Sequence, residues 1–161
     1  MEKEKLPEWF EEDFFVHEGK RLTWDELEVG MEFESAPFVL TEERIRKYAE
    51  GTQDYHPYYL DKEVAEKSPF KGLIAPPTIV VPISFATAPP DNYIKTPGAV
   101  NWGQKIEFGV PVRPGDTIYC KFKLLDKFIR RNKKYTLGEK HITNQKGETI
   151  CLWQSGLILP Q

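Results

Sequence analysis

The sequence is short of the features that mark a membrane, secreted or nucleic-acid-binding protein. Its apolar stretch at residues 78–88 falls below the roughly 20 residues that a bilayer-crossing helix needs. The charged start, Met1-Glu2-Lys3-Glu4-Lys5, has none of the apolar core of a secretory signal. There is no excess of basic residues either. Against 22 Lys and Arg stand 25 Asp and Glu, for a net charge of −3, which argues against nucleic acid or a membrane surface as partner. Cysteine is scarce: Cys120 and Cys151 make no disulfide framework and form no C-x-x-C pair for zinc. No metal and no cofactor is therefore expected, and a reduced, cytoplasmic compartment is the default. Repeats and low-complexity segments are absent. The 161 residues read as an N-terminal arm over 1–20 and one domain over 21–161. A chain of this length buries about 70% of its unfolded surface and needs no staples.

What is present is organised around residues 78–88. Ile79, Val80, Val81, Ile83, Phe85, Ala86 and Ala88 leave no polar face, and Ser84 and Thr87 add only small hydroxyls. A helix apolar all round has to be buried on all sides. Pro76-Pro77 would open it, Thr78 cap it and Pro89-Pro90 close it, while Pro82 would kink it slightly. A buried strand is the competing reading of so short an apolar run, but the rest of the chain favours a helix. Over 117–124, Ile118, Cys120, Phe122 and Leu124 alternate with Thr, Tyr and Lys, the pattern of a strand with one buried face. The doubled Leu124-Leu125 predicts a bulge. Further strands are predicted over 102–110, 134–143 and 149–159. They are joined by turns at Arg113-Pro114-Gly115-Asp116, at the basic tip Arg130 to Lys134 and at Asn144-Gln145-Lys146-Gly147. Ile150, Cys151, Leu152 and Trp153 would make the last strand apolar on both faces.

Upstream, Trp9, Phe10, Phe14, Phe15 and Val16 are too many large apolar residues for a solvated tail, so the arm is expected to dock. A turn at Glu28-Val29-Gly30 precedes a strand over 31–40. Thr41 starts a helix with Leu40 and Ile45 at staple positions; Ile45, Tyr48 and Ala49 give its inward stripe and Gly51 its stop. A loop over 54–60 follows, then a short helix capped by Asp61 and running through Ala65, and a second loop covers 91–101. One buried helix followed by long antiparallel strands gives an α+β fold, the hotdog architecture, in which an antiparallel sheet wraps a central buried helix.

Three separated motifs carry the chemistry: Asp54-Tyr55-His56-Pro57-Tyr58-Tyr59-Leu60-Asp61, Ile74-Ala75-Pro76-Pro77-Thr78 and Val110-Pro111-Val112-Arg113-Pro114-Gly115-Asp116. Together they resemble the MaoC-like acyl-thioester dehydratases and hydratases, whose signature is D-x-N-P-x-H-x-D. The resemblance spans roughly residues 27–158. It is strongest to the variant found in the N-terminal, non-catalytic halves of double-hotdog dehydratases and in fungal-type fatty-acid-synthase dehydratase regions. It implies an acyl-CoA or acyl-carrier thioester as substrate. Hydration of a trans-2-enoyl thioester needs an activated water, a proton for the α-carbon and stabilisation of the enolate. In the family, the aspartate and the histidine five residues later hold and activate the water. A backbone N–H at the head of the buried helix donates to the thioester oxygen.

This sequence departs from the pattern. Asp54 is in place, but Tyr59 stands at the histidine position and His56 at the asparagine position. Pro77, which has no N–H, stands where I-A-x-G supplies the backbone donor. Losing a general base typically costs ~10²–10⁴ in rate, and losing one oxyanion donor ~10²–10³. His56 either replaces the base, since histidine titrates near neutral pH, or bonds locally and shapes the loop. Tyr59 could act as an acid, but a phenol that ionises near about 10 is a poor base. Asp54 is either a working residue or a loop-ordering carboxylate. By resemblance, Asp54, His56 and Tyr59 are the candidate catalytic residues, and Ala75, Pro76, Pro77 and Thr78 the candidate substrate-binding ones.

The basic tip Arg130-Arg131-Asn132-Lys133-Lys134 either meets CoA phosphates or is a solvated hairpin end. His17 and His141 lie in no cluster, and the cysteines read as core. The family implies a hydratase subunit that accommodates the acyl chain and pairs with a histidine-bearing hotdog partner. The alternatives are a self-sufficient homodimeric hydratase/dehydratase using Asp54 with His56 or Tyr59, and an acyl-CoA-binding hotdog without chemistry. A thioesterase fits less well, because the buried helix carries no acid. Activity of the chain alone stays open, and an oligomer, homo- or heteromeric, is expected throughout.

Overall fold

A sheet runs in the order β1-β4-β5-β6-β3, all neighbours antiparallel, with β2 pairing to β4 off this path. The structure, a computed structural model, describes residues 22–89 and 98–160. The expected arm over 1–20, His17, Pro90 and most of the 91–101 loop lie outside the described residues. No helix among the described residues is long and apolar enough to cross a membrane.

The long strands β4 (Thr117–Arg130), β5 (Lys133–Thr143) and β6 (Thr149–Leu159) form the centre of the sheet. On β4 the alternation holds: Ile118, Cys120, Phe122 and Leu124 are buried. The doubled leucine produces the expected register shift between Leu124 and Asp126, after which β4 continues well past its predicted end. The β4–β5 tip turns on Arg131 and Asn132, at φ 50 and 58, a two-residue left-handed turn that suits the twist of the flanking strands. Its side chains are exposed. The expectation that β6 is apolar on both faces is corrected. Cys151 and Trp153 face inward and Leu152 outward, at 38% exposure. Ile150 sits at a register irregularity beside Thr149, so the apolar doublet there is a bulge and not a second buried face.

Edge strand β3 (Val100–Phe108) pairs with β6 through an irregularity at Asn101/Gly103. There the Trp102 indole crosses onto Gly156, where any Cβ would overlap the ring. Its Nε1 donates to the Thr136 carbonyl at 3.3 Å. Glycine at 156 is thus a requirement of close packing. The first predicted strand is split into β1 (Glu32–Glu34) and β2 (Phe38–Val39). Ser35 exchanges bonds with Cys120 before Pro37 interrupts the pairing.

The apolar stretch is a helix, shorter than expected. A 3-10 turn, Pro77–Ile79, leads into α4 (Val80–Ala86). Thr78 does not cap it, and no side chain does. Pro82 falls in the first turn, where proline is tolerated. Ile79, Val80 and Ile83 pack on Ile118, Cys120, Phe122, Ile142, Cys151 and Trp153, which places α4 against the inner face of the sheet. Burial on all sides is not met among the described residues. Thr78 and Pro82 are exposed, and Val81 and Phe85 are half-buried.

Candidate active site

The first motif is built from successive caps. Thr41 caps α1 (Glu42–Thr52) by accepting the Arg44 N–H. The helix runs through Gly51, and Gln53 takes the left-handed terminal position at φ 57. A helix tolerates glycine, while the residue after its end needs positive φ. The Asp54 N–H then bonds the Ala49 carbonyl at 3.0 Å. The expected loop over 54–60 contains a single helical turn, α2 (Pro57–Leu60). Proline at its first position and a preceding side-chain cap are together sufficient to form it. That cap is His56: its Nδ1 accepts the Tyr58 N–H at 3.2 Å. The ring stands edge-on to Tyr58, centroids 4.5 Å apart, and lies 5.3 Å from Tyr59. Asp61 caps α3 (Lys62–Lys67) through the Glu63 and Val64 N–H groups.

Asp54, His56 and Tyr59 are thus brought together. Asp54 and His56 are exposed, while Tyr59 is half-buried against the main core. Burial, and secondarily the Asp54 carboxylate, raise the Tyr59 phenol above its ordinary pKa. The second motif is tied to the first by the Ile74 N–H on the Tyr58 carbonyl at 3.1 Å, and to the third by the Ala75 N–H on the Val112 carbonyl at 2.8 Å. Ala75 and Pro76 are buried walls, whereas Pro77 and Thr78 reach the surface. The Tyr48 hydroxyl donates to Thr78 Oγ1 at 3.2 Å, linking α1 to the head of the central helix.

Sequence reasoning missed Arg113 and Lys140. The Arg113 guanidinium donates to the Phe70 carbonyl at 2.5 Å and the Leu73 carbonyl at 3.4 Å. Its own N–H bonds the Asp116 carboxylate at 2.8 Å. It therefore clamps the segment leading to Ile74. Lys140 is 2% exposed, level with Phe122 on β4 and Trp153 on β6. Its Nζ lies 3.6 Å from the Trp153 ring centroid and 3.8 Å from that of Phe85, with the Ser84 hydroxyl at 3.5 Å. Burial lowers its pKa to about 7. Ring faces return about 0.5–2 kcal/mol each to a cation, against several kcal/mol for taking an ammonium out of water, so desolvation wins. The signal was available: Ile142 faces inward, and in a strand so does the residue two before it. Cys120 and Cys151 lie nearby and free, their thiols pushed up by burial to about 12 and about 11.

A family model, the FAS1-like dehydratase domain region, matches residues 28–152. The chain belongs to this family. Among curated relatives, this dehydratase-region protein is 28% identical over 129 residues to a UPF0336 protein of Thermobifida fusca, covering 76% of this chain and 84% of the relative. Among solved structures, it is similar to a MaoC-like dehydratase from Rhodospirillum rubrum, with a TM-score of 0.75, 23% identity and coverage of 86% and 96% of the two chains. It is also similar to a chain of the C-terminally truncated HadBC (3R-hydroxyacyl-ACP dehydratase) complex from Mycobacterium tuberculosis, with a TM-score of 0.68, 22% identity and coverage of 81% and 96%. The fold of this FAS1-like dehydratase-region protein is accordingly the MaoC-like hotdog.

Proposed function

We propose that this chain is the acyl-chain-accommodating subunit of a heteromeric acyl-thioester hydratase/dehydratase, paired with a hotdog partner that carries the histidine. Tyr59 carries this reading. It stands five residues after Asp54, and its half-buried hydroxyl, near the Asp54 carboxylate, holds its proton more tightly than an ordinary phenol. Such a group cannot take a proton from water at neutral pH. His56 commits Nδ1 to the α2 cap, and Pro77 has no N–H for a thioester oxygen. The uncovered apolar surface supports a partner. Val100, Trp102 and Phe108 on edge strand β3 are 60%, 47% and 50% exposed, and no described residue covers the outer side of α4. The likeness in fold to a chain of the HadBC complex points the same way.

The test is loss of enoyl-thioester absorbance, with crotonyl-CoA and longer enoyl-CoAs. The purified chain alone is expected to turn over very slowly or not at all. Co-expression with a histidine-bearing hotdog restores turnover, and Asp54→Asn in that complex has little effect. Turnover of several per second by the chain alone, collapsing on Asp54→Asn or His56→Ala, would replace this reading with a self-sufficient site.

A further inference from the structure

The candidate active site gives Lys140 no role, yet the fold holds its ammonium at the centre of the inner face of the sheet. Among the described residues the buried polar set is Ser68, Ser84, Thr136, Lys140, Asn144 and Ser155, without one carboxylate. Ser84 gives its proton to the Val81 carbonyl at 2.9 Å, so its oxygen accepts from Lys140 but brings no negative charge. Cys120 and Cys151 are held as neutral thiols. A buried charge normally has a partner or coordinates one. Beside it stands a second incomplete group: Trp153 Nε1, buried, has no acceptor among the described residues. Two donors on neighbouring strands, one cationic and one an indole N–H, lack the same thing, an anionic oxygen acceptor.

We propose that Lys140 and the Trp153 indole N–H form an internal receptor for an aliphatic carboxylate seated between α4 and the sheet. The two oxygens of a carboxylate match the two donors and supply the missing charge. The aliphatic part is set by the walls, which are Phe122, Ile142 and Phe85. Phe85, whose ring centroid lies 3.8 Å from the ammonium, is half-buried on α4, so one wall of the site reaches the side of that helix that no described residue covers. The carboxylate belongs either to a free fatty acid or to the far end of a dicarboxylic acyl thioester. The second source rests on the acyl-accommodating reading above; the receptor itself does not.

The full chain is titrated calorimetrically at neutral pH with decanoate, 1-decanol, decanoyl-CoA and sebacoyl-CoA, in the native form and as Lys140→Met. The Lys140 ¹³Cε resonance, assigned by its loss in that variant, is followed by NMR. Decanoate is expected to bind at least about tenfold more tightly than decanol. The preference disappears in Lys140→Met, and the Lys140 titration midpoint moves up by about one pH unit or more when the anion is bound. A Lys140-dependent preference for sebacoyl-CoA over decanoyl-CoA assigns the carboxylate to the acyl chain; discrimination by decanoate alone assigns it to a free acid. Decanoate binding no tighter than decanol, or a preference that survives Lys140→Met, overturns the receptor. Failure of both thioesters to bind while decanoate still discriminates refutes the acyl-thioester reading and leaves the receptor standing.

Discussion

Replacing Lys140 by methionine, of nearly the same length, should stabilise the ligand-free protein, and do so in a way that depends on pH. The native-state pKa is about 7 against an ordinary 10.5. Between those values the unfolded chain binds a proton that the native chain does not, so native stability rises with pH across the window and is flat below it. The linkage penalty is about 4 kcal/mol at pH 7, of which about 2 kcal/mol is recovered by pH 8.5. The groups that face Lys140 are Ser84 and Phe85 from α4, Phe122 and Cys120 from β4, and Trp153 and Cys151 from β6. Of these only the two thiols titrate, and their raised values lower native stability as free thiols ionise, at about pH 8.5. Lys140→Met keeps both thiols, so the difference in slope between the two proteins from pH 6.5 to 8.5 belongs to Lys140. Urea melts over that range should show the native protein gaining stability with pH while Lys140→Met does not. At pH 7 the variant should melt roughly 10 °C higher. Parallel pH profiles for the two proteins would refute the argument, since they would mean that Lys140 is solvated or has a counter-charge.

Gly156→Ala should displace the Trp102 indole and cost about 1–3 kcal/mol in urea melts; Trp102→Ala in the same chain should relieve the clash. Arg113→Met removes a charged donor from the Phe70 and Leu73 carbonyls. It should cost about 1.5–3 kcal/mol, with amide exchange rising first at Ile74 and Ala75. Light scattering at micromolar concentration should give a mass above the 18.7 kDa of one chain, because no described residue covers the apolar edge of β3 or the outer side of α4.

Local rules on the chain determined the frame of this protein. The 117–124 alternation, the bulge at the doubled leucine, the cap residues Thr41 and Asp61 and the turn Arg113 to Asp116 each depend on neighbours a few residues away. Each stands where the sequence put it. The local reading failed where two signals competed within one turn. Gly51 pointed to a stop that Gln53 supplies, and Pro57 hid a helical turn that His56 caps. The order of the three motifs was legible as well, but not what their side chains do. Only the tertiary structure decided that Tyr59 is half-buried, so that burial, and secondarily the Asp54 carboxylate, raise its pKa, and that Arg113 holds the segment before Ile74. Lys140 marks the boundary most clearly. Strand periodicity turns it inward, but whether an inward lysine meets an acid, water or aromatic rings depends on the register of β4 and β6 and on the seat of α4. Those are contacts between residues far apart in the chain, and no local pattern encodes them.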